Sequence, residues 1–280
     1  MNKVFLIIAI LISASVWAGN DKDKSRSIGF AGGTAYYLGE INRNHFGGEL
    51  KFGGGIFYRE NIDRRWSFNF GVNYMEIGAY DSKSTDLWKV NRNLHFRNRM
   101  YEISGLVELN FFPYQIGSAS EFFTPYLFLG MAYYKMNPEA QYGDGWLPLQ
   151  PIGTEGQGTT AGTPTKYNLG GLAFPYGFGL KMNITGRLAF NVTYGMRSAS
   201  SDYLDDVSTI YADPAVLRDE SDNGQLAIEF GDQSIEQIGF NNSNANVERG
   251  DPTNNDFYAF TTFALTLRID KKPGTCWGGR

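Results

Sequence analysis

One cysteine among 280 residues excludes an internal disulfide and any cysteine-rich zinc or iron–sulfur centre. Histidine is almost as scarce: His45 and His95 are the only two. Acyl hydrolysis needs a histidine within hydrogen-bond reach of a nucleophile or a water, and neither of these adjoins an inward-facing serine in the pattern below. Charged residues make up 19% of the chain, and the net charge of −4 lacks the basic excess of a nucleic-acid binder. Beyond the first residues no apolar run approaches the ~18 of a membrane-crossing helix. What is plentiful is glycine (34), Phe (21) and Tyr (17), at a mean hydropathy of −0.32. That mixture suits strands with one face toward lipid and the other toward water.

Residues 1–18 read as a secretory signal peptide. Lys3 gives the positive start, Val4 to Ile12 the apolar run, and Val16-Trp17-Ala18 a small-residue cleavage site before Gly19. No cysteine follows that site, so the chain is not a lipoprotein.

Past Ser27 the dominant signal has period two. Trp66, Phe68, Phe70, Val72 and Tyr74 alternate with Ser67, Asn69, Gly71 and Asn73. Leu188, Phe190, Val192, Tyr194 and Met196 oppose Ala189, Asn191, Thr193, Gly195 and Arg197. Phe174, Tyr176, Phe178 and Leu180 oppose Ala173, Pro175, Gly177, Gly179 and Lys181. Successive strand side chains face opposite sides, so each segment has an apolar face and a polar or small one. Segments near 27–38, 49–59, 99–112, 123–135 and 257–269 complete a set of eight. The 123–135 segment is apolar on both faces and leaves its register open. The expected fold is all-β: an eight-stranded antiparallel transmembrane β-barrel of OmpA or OmpX size, over 19–269.

The connections sort by length. Glu60 to Arg64, Pro113 to Phe122 and Asn183 to Gly186 are short, whereas the alternate links run to about 10, 20, 35 and 58 residues. Short periplasmic turns against long external loops is the asymmetry of an outer-membrane barrel. It puts both ends of the barrel in the periplasm. Tyr58, Trp66 and Tyr114 on that side, and Tyr74, Tyr101 and Tyr133 on the other, match the two interfacial aromatic girdles.

An eight-stranded barrel is just wide enough to be filled by its own side chains. The inward charges expected are Glu49, Lys51, Glu102, Glu108, Lys181, Arg187 and Arg268. Both signs are present, which favours an ion-paired plug over a diffusion pore. No catalytic residue, cofactor or metal site is assigned.

The loop from Ser198 to Asp256 holds thirteen acidic residues against Arg218 and Arg249, a net of −11 that leaves +7 for the rest of the chain. The loop from Gly78 to Arg99 carries Lys83, Lys89, Arg92, Arg97 and Arg99 against Asp81 and Asp86, so the two loops should attract. Calcium at Asp202, Asp205 and Asp206 would suit clustered carboxylates, but a solvated or loop-paired acidic face is the preferred reading. The 136–168 segment, with Gly153-Thr-Glu-Gly156-Gln-Gly158, lacks the ending of a phosphate cradle and reads as a loop.

Residues 270–280 form a tail expected in the periplasm, with Lys271, Lys272, Cys276 and Trp277. In an oxidising compartment a lone thiol suggests intermolecular pairing or reactivity. An incidental cysteine in a frayed end is the competing reading. Trp277 beside it would serve as a docking anchor.

Five runs of residues resemble a barrel family of gliding and related Gram-negative bacteria. They are Tyr36-Tyr37-Leu38-Gly39-Glu40-Ile41; Phe96-Arg97-Asn98 leading into Tyr101-Glu102-Ile103; Pro125 to Gly130; Phe174 to Gly179; and Asp202-Tyr203-Leu204-Asp205-Asp206-Val207-Ser208. Their order is similar to that of the PorG-like barrels of the type IX secretion system. The resemblance implies a non-enzymatic scaffold that ties a periplasmic ring, of a PorK-like lipoprotein and its PorN-like partner, to the outer membrane. Docking would then use the periplasmic face: Asn61, Asp63, Arg64, Arg65, Tyr114, Gln115, Lys271, Lys272, Cys276 and Trp277, with a disulfide from Cys276 to a ring lipoprotein as the hypothesis. Outer-membrane lipid would be the other partner. The rival is a generic small barrel whose external loops bind a ligand or a surface.

Overall fold

The computed structural model describes residues 24–42, 48–239 and 243–270. The expected signal peptide, His45 and the tail residues Lys271, Lys272, Cys276 and Trp277 lie outside them.

Eight long strands close on themselves: β1 (Ser25–Leu38), β2 (Lys51–Asn61), β3 (Trp66–Tyr80), β4 (His95–Asn110), β5 (Phe123–Lys135), β8 (Gly170–Asn183), β9 (Leu188–Ala199) and β10 (Phe257–Arg268). A small hairpin, β6 (Pro138–Tyr142) and β7 (Gly145–Pro148), sits between β5 and β8. Each long strand pairs antiparallel with its sequence neighbour among the eight, and β1 pairs with β10 from Ser27↔Arg268 to Leu38↔Phe257. The last edge is thereby removed, which is what lets a sheet cross lipid with its backbone polar groups paired.

The period-two pattern becomes inside and outside. Phe30, Phe52, Phe70, Ile103, Leu129, Phe178 and Phe263 are each more than half exposed and point outward from seven of the eight strands. A belt of large exposed apolar groups around a closed wall faces lipid, not water. On β5 the open register is resolved. Thr124, Tyr126, Phe128, Ala132 and Tyr134 are buried inward, while Leu127, Leu129, Met131 and Tyr133 face out. The small faces of β8 and β9 make this possible. A Cβ on Gly177 or on Gly195 would meet the Phe128 ring at 2.8 Å, and one on Gly179 would meet Tyr126 at 2.6 Å.

Turns at one end of the barrel are tight. Between β2 and β3, Asp63 Oδ1 accepts the backbone N–H groups of Arg65 and Trp66 at 2.6 and 2.7 Å, an aspartate-nucleated turn. At the other end the wall outruns its expected length. β3 continues to Tyr80 and β4 begins at His95, their register unbroken from Trp66↔Leu109 to Tyr80↔His95. Only a 3₁₀ turn at Asp81–Lys83 and a short helix α1 (Leu87–Arg92) remain between them.

Above that rim the 136–169 and 200–256 segments build a cap. Its own small core joins Ala140, Leu149 and Ile152 to Ala212, Leu217, Ala227 and Phe230. The last four come from the stretch carrying helices α2 (Pro214–Glu220) and α3 (Gly224–Gly231). The 136–168 segment is thus a structured half of the cap, starting with the hairpin, whose β6 extends the sheet along β4 at Arg97↔Glu139.

Candidate functional site

The lumen holds two buried charge groups. Glu108 lies 2.9 Å from Arg59 and 2.6 Å from Lys181 Nζ, and Asn69 donates to it at 2.7 Å. Nearer the long-loop rim, Glu102 accepts from Tyr258 at 2.8 Å, Asn73 at 2.9 Å and Arg197 at 3.3 Å. Every partner comes from an inward strand position, so alternation alone aims them at one another. The cavity left among them is about 60 Å³, room for a few waters. Chemically this interior is a filled, paired plug.

The short-turn end is closed as well. The 111–122 link folds beneath the strands, burying Tyr114 and Ile116 against Ala189. Tyr114 donates to Asn183 Oδ1 at 2.8 Å, and Arg268 donates to the Ile116 carbonyl at 3.0 Å. Gly117, at φ +89°, passes so close to the 184–187 turn that a Cβ would sit 2.2 Å from the Gly186 carbonyl oxygen. Only glycine takes that conformation at that distance without strain.

Several residues singled out in the sequence are placed differently. Arg187 is exposed in the β8–β9 turn, one residue short of the strand that would have carried it inward. Glu49 and Lys51 sit at the long-loop rim, 3.2 Å apart; Glu49 also pairs with Lys83, so they belong to the mouth and not the lumen. Glu102, Glu108, Lys181 and Arg268 do lie inside, joined by Arg59 and Arg197, which the sequence reading left off its list. On the proposed docking face Asn61 is buried, donating to Ser25 Oγ at 2.8 Å, and Tyr114 is buried in the plug and not in a girdle. Asp63 and Gln115 are half-buried, Arg64 pairs with Glu121 at 2.5 Å, and exposed Arg65 donates to the Phe111 carbonyl. His95 opens β4 instead of lying in a loop; it stacks on Tyr80 and accepts the Gln141 N–H at 3.0 Å.

The cap is locked by a second buried network. Arg249, 2% exposed, donates to Glu155 at 2.8 Å and to the carbonyls of Asp206 and Gly231 at 2.6 and 3.0 Å. Glu155 also takes the Ser208 and Thr209 N–H groups, so the glycine-rich 153–158 run supplies a clamp for the opposite loop. Asp206 accepts from Tyr167 and Thr154; burial pushes its carboxyl up to about 6 despite Arg249. It therefore serves the clamp, apart from Asp205. The basic and acidic loops do meet, through Ile235 N–H to the Asn91 carbonyl and Arg92 to the Arg249 carbonyl; the Arg92 ion pair itself is with Asp81 on its own loop.

Where cap meets wall, Tyr37 is buried against Phe96, their rings 4.8 Å apart. Its hydroxyl touches Glu40, Asp205 and Asp256, and Asn98 donates to the Leu204 carbonyl at 2.7 Å. Burial raises the carboxyls of Asp205 and Asp256 well above the ordinary range. Glu40 adds to the shift at Asp205, and Asp205 to that at Asp256. Three stretches that are distant in sequence thus converge on one acidic joint.

Set beside known proteins, residues 2–218 match the model of a domain of unknown function, DUF6089. No curated protein matches the chain. Among solved structures, it is similar to Neisserial surface protein A at 11% identity and TM-score 0.40, over 88% of this chain and 99% of that one. It is similar to Ail of Yersinia pestis, in complex with the heparin analogue sucrose octasulfate, at 12% and 0.38, over 88% and 98%. It is similar to the outer membrane protein OprG of Pseudomonas aeruginosa at 8% and 0.36, over 90% and 99%. The closed ladder and the lipid-facing belt of this chain are those of an outer-membrane-type barrel in their own right.

Proposed function

The chain belongs to the DUF6089 family, and on that footing we propose that it is a non-enzymatic outer-membrane scaffold of type IX secretion. In this reading the barrel sits in the outer membrane of a Gram-negative bacterium with both ends of its wall in the periplasm, and it holds a PorK/PorN-like ring beneath it. The observation that carries the reading is the filled lumen. With Arg59, Glu108 and Lys181 paired across its middle and Tyr114 and Ile116 beneath, the barrel acts through its surfaces and not through a pore.

Three of the runs that resemble PorG-like barrels meet at the acidic joint, through Tyr37, Glu40, Phe96, Asn98, Leu204 and Asp205. Their order along the chain therefore has a structural reason: it specifies how cap and wall fit. On the opposite face, the exposed side chains of Arg64 and Arg65 offer a surface for a ring.

Co-purification from detergent-solubilised outer membranes, with and without reductant, tests the proposal. A scaffold brings ring lipoproteins with it, and release on reduction adds the Cys276 disulfide. A barrel that repeatedly comes out alone ends the scaffold reading. Deleting 271–280 should abolish secretion.

A second reading has its own observation. Leu87 (83% exposed), Ile235 (67%) and Leu50 (62%) are apolar groups on the long-loop side, which fits a barrel that binds a ligand or surface there. Under that reading, tail deletion changes nothing, while polar substitution of these residues abolishes binding.

A further inference from the structure

On the long-loop side the lipid-facing belt ends in tyrosines and then in cations. Along β4 the outward residues run Ile103, Tyr101, Arg99 toward the rim, and along β5 they run Met131, Tyr133, Lys135, all of them exposed. Tyr101 lies beside Tyr74 of β3, their rings 5.3 Å apart. Lys135 is the ladder partner of Tyr101. Arg99, two residues from Tyr101 on the same face, is therefore its diagonal neighbour, at a spacing of ~7–8 Å. Arg97 follows two residues beyond Arg99. Three cations thus share one patch of outer wall, directly above the last apolar residues.

The patch carries more positive charge than its carboxylates answer. Buried Glu139 is divided between two arginines: Arg97 donates to one oxygen at 2.9 and 2.7 Å, and Arg99 to the other at 2.7 Å. Arg97 is also fixed over the Trp146 ring at 4.2 Å. Glu76, opposite Arg99 in the ladder, has Lys51 at 4.0 Å, and Glu49 is taken by Lys51 and Lys83. Among the described residues Lys135 has no ion-pair partner, and Arg99 reaches Glu139 through Nη2 alone. Three cations therefore share a single carboxylate.

We propose that Arg99 and Lys135, backed by Arg97, bind the phosphate group of an outer-leaflet glycolipid. Arginine offers a planar fork that matches phosphate oxygens, and lysine a mobile point charge. Below them Tyr101, Tyr133, Ile103 and Met131 continue the same stripe and face the acyl chains. One molecule thereby finds its polar and apolar partners in the order in which a lipid presents them. A soluble polyanion fits less well, because the 198–256 stretch above the rim carries a net of −11 and repels it. The inference rests on the outer-membrane placement of the barrel and not on the type IX role.

The test uses the full chain in nonionic detergent, titrated with diphosphoryl lipid A and with its dephosphorylated form, bound lipid being counted by native mass spectrometry. The wild type should prefer the phosphorylated lipid. Lys135→Gln should lower that preference about fivefold, and Arg99→Gln with Lys135→Gln about thirtyfold. Since Lys135 has no ion-pair partner among the described residues, its variant leaves the ion pairs of the fold in place. Arg218→Gln, exposed on α2 of the cap, should change nothing. Equal binding of the two lipids by the wild type overturns the proposal, as does a preference that survives the double variant. Displacement of the lipid by millimolar inorganic phosphate also overturns it, by assigning the cluster to a free anion. The placement is tested apart, by folding the wild type into phosphatidylcholine vesicles and reading the mobility of unheated protein on gels. A barrel that inserts there but shows no phosphate preference loses the site and keeps its membrane; failure to insert overturns both.

Discussion

Lys181 Nζ lies 2.6 Å from Glu108 Oε2 across the middle of the lumen, both side chains shut away from solvent. The pair is one edge of a triangle, because Arg59 approaches the same carboxylate at 2.9 Å. Two cations thus depend on one anion, and the three positions should respond unequally to substitution.

Glu108→Gln leaves Arg59 and Lys181 buried together without a counter-charge, and should cost about 3–5 kcal/mol. Lys181→Met leaves Glu108 still paired with Arg59 and bonded to Asn69, so it should cost clearly less. The double variant should recover part of the Glu108→Gln loss. Urea unfolding in detergent or lipid, read as a double-mutant cycle, measures the coupling. Equal costs for the two single variants would mean that the triangle does not act as a unit.

The filled lumen makes a second, electrical prediction. Wild-type protein in planar bilayers should give no steady open-channel current at neutral pH, since the mid-barrel cavity is only about 60 Å³. Cutting the inward rings back with Tyr126→Ala and Phe128→Ala widens that cavity, which the glycines of β8 and β9 leave otherwise unfilled. While Tyr114 and Ile116 still close the short-turn end, that double variant should conduct no more than the wild type; measurable conductance is expected only when Tyr114→Ala and Ile116→Ala are added to it. An ohmic current from the wild type would contradict the plug.

These two predictions rest on features with very different visibility in the sequence. The wall was legible because alternation is local: Phe70, Val72 and their polar neighbours report their faces without reference to any other strand. The 123–135 segment resisted, because Tyr126 and Phe128 are as apolar as the lipid-facing residues beside them. What turns them inward is the glycine row on β8 and β9, a tertiary fact. Arg187 was misplaced by a single position at a turn, where a strand's parity ends. The acidic joint was hidden for another reason. Tyr37 and Asp256 stand 219 residues apart and meet only when β1 pairs with β10. Among the clustered aspartates, composition could not say that Asp206 turns to Arg249 while Asp205 turns to the rim.

Arg249 is the pin of the cap, and its removal should separate cap from wall. Arg249→Met leaves Glu155 buried without its cation and frees the carbonyls of Asp206 and Gly231, an expected loss of about 3–5 kcal/mol borne by the cap. The eight-stranded wall shares none of those bonds. Limited proteolysis should therefore cut the variant rapidly within 136–169 and 200–256, while a folded barrel core persists on unheated gels. Global unfolding at the same rate as cap cleavage would show instead that the wall depends on the cap.

At the opposite end, Asp270 fastens the seam where the barrel closes. It accepts the Arg26 N–H at 3.0 Å and pairs with Arg268 at 2.8 Å, joining β1 to β10 just below their last rung. Burial alone would raise its carboxyl. The hydrogen bonds from Arg268 and the Arg26 amide outweigh that and hold it below the ordinary 3.8. A carboxyl lowered by folding stabilises the native state above its unfolded value, and loses that contribution as pH falls through the folded one. Asp270→Asn should thus cost about 1 kcal/mol or less at neutral pH, the pair being partly open to solvent. The gap between wild type and variant should close as the medium is acidified well below 3.8. Amide exchange at the Arg26 N–H, followed against pH in both proteins, reads this locally. A difference that stayed constant down to low pH would assign the seam's strength to the β1–β10 ladder and not to the carboxylate.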